Sequence, residues 1–116
     1  MPLEVTILSQ AAAGLGGLRQ VAAQTMPDVR VDVEFGGACV VFRDAQGVVA
    51  VLERPCQIEH TGDVQRCLDS PVPEAGSARV WTAGYVPFVR ARQGLELMAA
   101  VGMAADGQVV VKGVPQ

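Results

Sequence analysis

The stretch Cys39 to Pro55, CVVFRDAQGVVAVLERP, constrains this chain more than any other. Val40, Val41 and Phe42 form one apolar arm, and Val48 to Leu52 form a second. β-branched and aromatic residues pack well on a pleated surface, so both arms favour strand. Between them, Asp44-Ala45-Gln46-Gly47 suits a tight turn. Asp bonds the backbone ahead of it and Gly accepts positive φ. The second arm is apolar on both faces. It is expected to be an interior strand, covered on both sides or with one side in an interface. Pro55 cannot donate to a ladder and ends it.

The flanks supply elements to cover this hairpin. Leu3 to Leu8 reads as a strand, and Ser9 is placed to cap a helix. Leu15, Leu18, Ala22 and Met26 share a helical face, although Gly14, Gly16 and Gly17 argue for a glycine-rich loop with the helix starting near Gly17. Pro27 stops it. Asp28 to Phe35 alternates, with Val29, Val31, Val33 and Phe35 on the buried side. Gly36-Gly37 then turns the chain into the hairpin, making a three-stranded meander of about 29–35, 39–43 and 48–53. After a connection at 57–60, Thr61 caps a short helix with Val64, Cys67 and Leu68 on one face. Residues 70–77 form a loop. Ala78 to Phe88 is a strand, in which Gly84 marks a bulge or a close approach. Arg90 to Ala105 is a helix with Ala91, Leu95, Met98, Val101 and Ala105 aligned. Asp106-Gly107 is a turn, Val109 to Lys112 a closing strand, and 113–116 a frayed tail.

The order is β-α-β-β-β-α-β-α-β. The expected fold is α+β in two layers: a mixed or antiparallel sheet around a central meander, with two longer helices on one face. At 116 residues the chain is one domain, 1–116. A net charge of −3 gives no electrostatic basis for nucleic-acid binding. No apolar run reaches the ~20 residues of a membrane span, and no signal peptide is expected. Three cysteines without close pairing suit a reducing, cytoplasmic compartment rather than a disulfide framework. The preference for Arg over Lys, with abundant Ala, Val and Gly, suggests a GC-rich bacterial genome.

Five groups of residues invite a chemical reading. The glycines at 14, 16 and 17 open a helix, where backbone N–H groups hold phosphate. They lack the third glycine of a dinucleotide fingerprint and any Gly-Lys-Ser/Thr, so the favoured reading is a flexible or irregular helix start. Cys56, His60 and Cys67, with Cys39 as a further candidate ligand, lack the tight Cys pair of a structural zinc site, and no metal or other cofactor is expected. Cys56 with His60 as base would need an oriented imidazole and an electropositive setting. Without them, Cys56 and His60 are loop residues. Arg79, Arg90 and Arg92 could converge on an anion, or stay solvated. Trp81, Tyr85 and Phe88 concentrate scarce aromatics in one segment, and Trp81 and Tyr85 share a strand face. Rigid rings of this kind anchor interfaces, the alternative being packing under the following helix.

The succession VVFRDAQGVVAVLERPCQIEHTGDVQRCL followed by VWTAGYVPF and an Ala-rich helix resembles an uncharacterised actinobacterial domain family encoded near type VII secretion genes. Arg43-Asp44, Gly47, Glu53 to Pro55, Gly62-Asp63-Val64 and Trp81 match the family's pattern over about 29–105. The resemblance carries no catalytic residues across. It implies a cytoplasmic accessory or partner of a secretion locus. The expected function is therefore a non-enzymatic protein-interaction or accessory domain that binds another protein or itself as a homodimer, without nucleic acid or membrane insertion. The alternative is a small enzyme or a small-ligand or anion-binding protein using the 13–19 loop or the Cys56/His60 region.

Overall fold

A computed structural model describes residues 2–58 and 79–112. The elements are β1 (Leu3–Ser9), α1 (Leu15–Thr25), β2 (Arg30–Glu34), β3 (Cys39–Asp44), β4 (Gly47–Glu53), β5 (Cys56–Gln57), β6 (Val80–Val86), α2 (Ala91–Ala104) and β7 (Gln108–Lys112). The expected helix at 61–69, the loop at 70–77 and the tail at 113–116 lie outside the described residues, as do His60 and Cys67. The strands form one sheet in the order β2-β3-β4-β6-β1-β7, with β5 pairing β6 off this path, and every pairing is antiparallel. The α+β fold, the meander and the two helices are as the sequence implies. No helix among the described residues is long and apolar enough to cross a membrane.

The core lies between the sheet and the two helices. Leu3, Val5 and Ile7 of β1, Val31, Phe42, Leu52 and Val86 meet Leu18 and Ala22 of α1 and Leu97, Met98 and Val101 of α2. Each large side chain buried here contributes on the order of 1.5–3 kcal/mol. The ladder between β3 and β4 slips by one residue, pairing Phe42 with Ala50 but Arg43 with Val48. Val49 is the extra residue of a β-bulge. A bulge turns two neighbours toward the same side, and Val49 and Ala50 are both fully buried. The apolar run of β4 is thus explained by a bulge as well as by its interior position. Gly84 marks a close approach and not a bulge: its ladder to β1 is unbroken, and a Cβ there would lie 2.7 Å from the Val51 carbonyl oxygen.

Helix α2 ends in a Schellman turn. Gly107 N–H donates to Gly102 O at 2.8 Å and Asp106 N–H to Met103 O at 3.1 Å, with Asp106 at φ +52°. The Asp106-Gly107 turn is therefore the helix's own C-cap. At the other end, an ion pair joins hairpin to helix. Arg90 grips Asp44 with both guanidinium nitrogens, Nη1 donating to Oδ1 at 3.0 Å and Nη2 to Oδ2. Asp44 Oδ1 also accepts from Gln46 N–H at 2.8 Å, closing the β3–β4 turn.

Three expectations need correction. Ser9 does not cap a helix: it ends β1 and its hydroxyl donates to Ala11 O at 2.8 Å. The N-cap of α1 is Gly14, without any side-chain hydrogen bond, and the helix begins at Leu15, taking Gly16 and Gly17 into its first turn. Phe35 is not a core residue. It leaves β2 for a 3₁₀ turn, Phe35–Gly37, at φ +53°, and is 82% exposed. Val33, on the same side of the strand as buried Val31, is 47% exposed. Alternation marks one side of a strand, but burial also needs an element to cover it.

Candidate functional site

Register fixes what the other face of the sheet displays. Side chains directly opposed on neighbouring strands share a face. Across the sheet, Asp32 opposes Val41, Val41 opposes Val51, Val51 opposes Tyr85, Tyr85 opposes Glu4, and Glu4 opposes Lys112. A second row runs through Ala83, Thr6 and Val110, and a third through Trp81, Leu8 and Gln108. These residues alternate with core residues Val5, Ile7, Leu52 and Val86, so they lie on the face turned from both helices. Trp81 and Tyr85 share it, as period two requires, and the alternative of packing beneath the following helix does not hold. Trp81 is half-buried and Tyr85 36% exposed. Phe88 lies beyond Pro87 in the 3₁₀ turn Phe88–Arg90, 48% exposed, outside the strand that carries the other two rings.

Charge is arranged around this apolar centre. Glu53 and Glu4 flank Tyr85 and raise the phenol above its ordinary range, chiefly through the Glu53 charge, with burial adding to it. The Tyr85 hydroxyl donates to the Glu53 carboxylate. At the β2–β3 end, Arg43 bonds Glu34 and approaches Asp32 at 3.5 Å, while Arg30 stands 3.9 Å from Asp32. Arg43 opposes Arg30, one row beyond Asp32 and two beyond Glu34. Its side chain therefore runs along the sheet past Val41, and a long aliphatic stem of this kind covers apolar surface. Val41 is buried. The hydrogen bond from Arg43 lowers the Glu34 pKa, and Glu34 raises that of Arg43. Pairs this exposed add little stability. Their effect is to fix Arg43 in place.

The remaining candidates separate. Arg90 is committed to Asp44, with side chains only 11% and 20% exposed. That hydrogen bond, with the Gln46 N–H, holds the Asp44 carboxyl down at about 2. Arg79 precedes β6 and Arg92 follows it, and a seven-residue strand is on the order of 20 Å long. The three arginines therefore do not converge on one anion. Cys56 is an exposed free thiol in β5, opposite Trp81, with its Sγ 3.8 Å from Arg54 O. Cys39 is a half-buried free thiol. No group of three or more His, Cys, Asp or Glu suited to a metal occurs among the described residues. Gly14, Gly16 and Gly17 stand in open space, while Ala13, Leu15 and Leu18 beside them line a cavity on the helix side of the sheet.

Sequence reasoning missed the charged row around Tyr85 and the Asp44–Arg90 pair. Strand parity alone would have put Glu53 and Tyr85 within reach, given the order of β4 and β6. Nothing local signals a partner 46 positions away. Comparison with protein-family models, with curated proteins and with solved structures finds no match.

Proposed function

We propose that this chain is a non-enzymatic protein-interaction domain whose contact surface is the sheet face centred on Trp81 and Tyr85. The observation that carries this reading is the position of those rings. In a chain with five aromatics, the only Trp and the only Tyr share the face away from the helices. Val51 lies beside Tyr85, Val110 lies on the same face across β1, and Glu4, Glu53 and Lys112 stand in and next to the row of Tyr85. An apolar centre with a charged rim is the anatomy of a transient interface, and Trp and Tyr dominate binding energy at such centres. Phe88, half-exposed in the 3₁₀ turn that follows β6, is a further exposed ring.

The partner is another protein or a second copy of the chain. The resemblance over 29–105 favours a component of a type VII secretion locus, met in the cytoplasm, where free Cys39 and Cys56 are stable as thiols. The test is capture from the native host with the wild-type chain and with the Trp81→Ala/Tyr85→Ala double variant. Self-association is measured in parallel by light scattering. A stoichiometric partner, or a dimer, that the double variant loses while keeping its melting temperature supports the reading. A partner retained in full by a folded double variant removes it.

A further inference from the structure

The helix side of the sheet is not sealed throughout. A cavity of about 190 Å³ opens beside the start of α1. The sheet contributes Ile7, Val40 and Leu52, and the helices contribute Leu15, Leu18 and Val101. Its volume exceeds the ~150 Å³ apolar cavity that takes up benzene in an engineered protein. Thr82 and Ser9 are the buried hydroxyls of the lining, and Val33 and Gly37 form part of its outer wall.

Charge at this cavity is one-sided. Arg54, just past the end of β4, lines the cavity. A Cβ on Gly37 would stand 3.7 Å from Arg54 Nη2, which puts the guanidinium over that part of the lining. Arg54 has no ion-pair partner among the described residues. Glu53, the acidic residue of the lining, is out of phase with it and accepts from Tyr85 on the opposite face. The first turn of α1 has neither a side-chain cap nor an acidic residue. The positive end of that helix and Arg54 therefore both favour an anion.

We propose that this cavity is a binding site for a small apolar carboxylate, with a medium-length acyl chain or a single aromatic ring inside and the carboxylate on Arg54. It lies on the sheet face opposite Trp81 and Tyr85 and stands independently of the interaction surface. Titration of the full chain with octanoate, below its micelle concentration and followed by methyl NMR, tests it. Saturable shifts are expected at Ile7, Leu18, Leu52 and Val101, with the methyls of Val51 and Val110 on the other face unmoved. Arg54→Ala is expected to weaken octanoate by about tenfold, the effect of one charge-assisted hydrogen bond, and to leave octanol binding unchanged. Ala13→Phe, at an exposed position of the lining, is expected to block both probes without unfolding the protein. Absence of shifts, or shifts spread over both faces, overturns the site. Equal binding of octanoate and octanol, indifferent to Arg54→Ala, overturns the carboxylate.

Discussion

The two ends of the helix-covered side of the sheet are built in opposite ways. Over β6 and β7, α2 lies almost on the strands. A Cβ at Gly94 would stand 2.2 Å from Val86 Cγ1 and 2.6 Å from the Val49 carbonyl oxygen, and one at Gly102 would stand 2.4 Å from Val109 Cγ2. Toward the end of β2 and the start of β3, α1 begins only at Leu15, after the exposed segment 10–14, and leaves a cavity. The same alternating strand chemistry is buried at one end and exposed at the other. The closest helix–sheet approach lies under α2, and the cavity lies at the start of α1.

The largest expected effect contrasts two phenylalanines. Phe42→Ala removes a fully buried ring and is expected to cost about 3–5 kcal/mol in urea unfolding. Phe35→Ala removes a solvated ring and is expected to change stability by no more than about 0.5 kcal/mol. Comparable losses would mean that Phe35 is part of the core.

Two glycines sharpen the contrast further. Gly94→Ala drives a methyl into Val86 and is expected to cost about 1–3 kcal/mol, despite the better helix propensity of Ala. Gly17→Ala meets nothing within 4 Å and is expected to stabilise by up to about 1 kcal/mol. Thermal melts of the two variants should move in opposite directions.

A smaller effect, visible through pH, concerns the clasp between the hairpin and α2. The Asp44 carboxyl sits at about 2 in the folded chain, below its unfolded value of about 3.9. A depressed carboxyl stabilises the fold above the unfolded value, and the contribution fades as pH falls through the folded one. Asp44→Asn should therefore melt below the wild type at neutral pH. The gap should hold down to about pH 5 and close between there and about pH 2. Melts followed by circular dichroism give the profile, and a gap independent of pH would contradict the ionic clasp.

Much of this was legible locally. Period two placed Trp81 and Tyr85 together and Val29 with Val31, and Pro27 and Pro55 bounded their elements. The Asp44 turn was visible because its chemistry is local. What failed was what depends on neighbours in space. Val33 and Phe35 continue the alternation of β2, but no sequence pattern shows where the helical cover stops. Gly94 and Gly102 look like weak points of a helix until the strands beneath them are known. Val49 reads as one more valine, although its bulge is what lets consecutive residues of β4 face the core. β5 spans only Cys56–Gln57, too short for a period to register. In the candidate site the rings were legible, but the carboxylates around Tyr85 were not, because they depend on β6 lying between β1 and β4.

The most direct test of the interaction surface is hydroxyl-radical footprinting of Trp81 and Tyr85, in the isolated chain and in the assembly recovered from its native host. Trp81 and Tyr85 are each the only residue of their type, so their oxidation reports on that face alone. The account predicts that both are oxidised more slowly in the assembly, while exposed Phe35 and Met103 on other surfaces are unchanged. An assembly in which Trp81 and Tyr85 react as fast as in the isolated chain would contradict it.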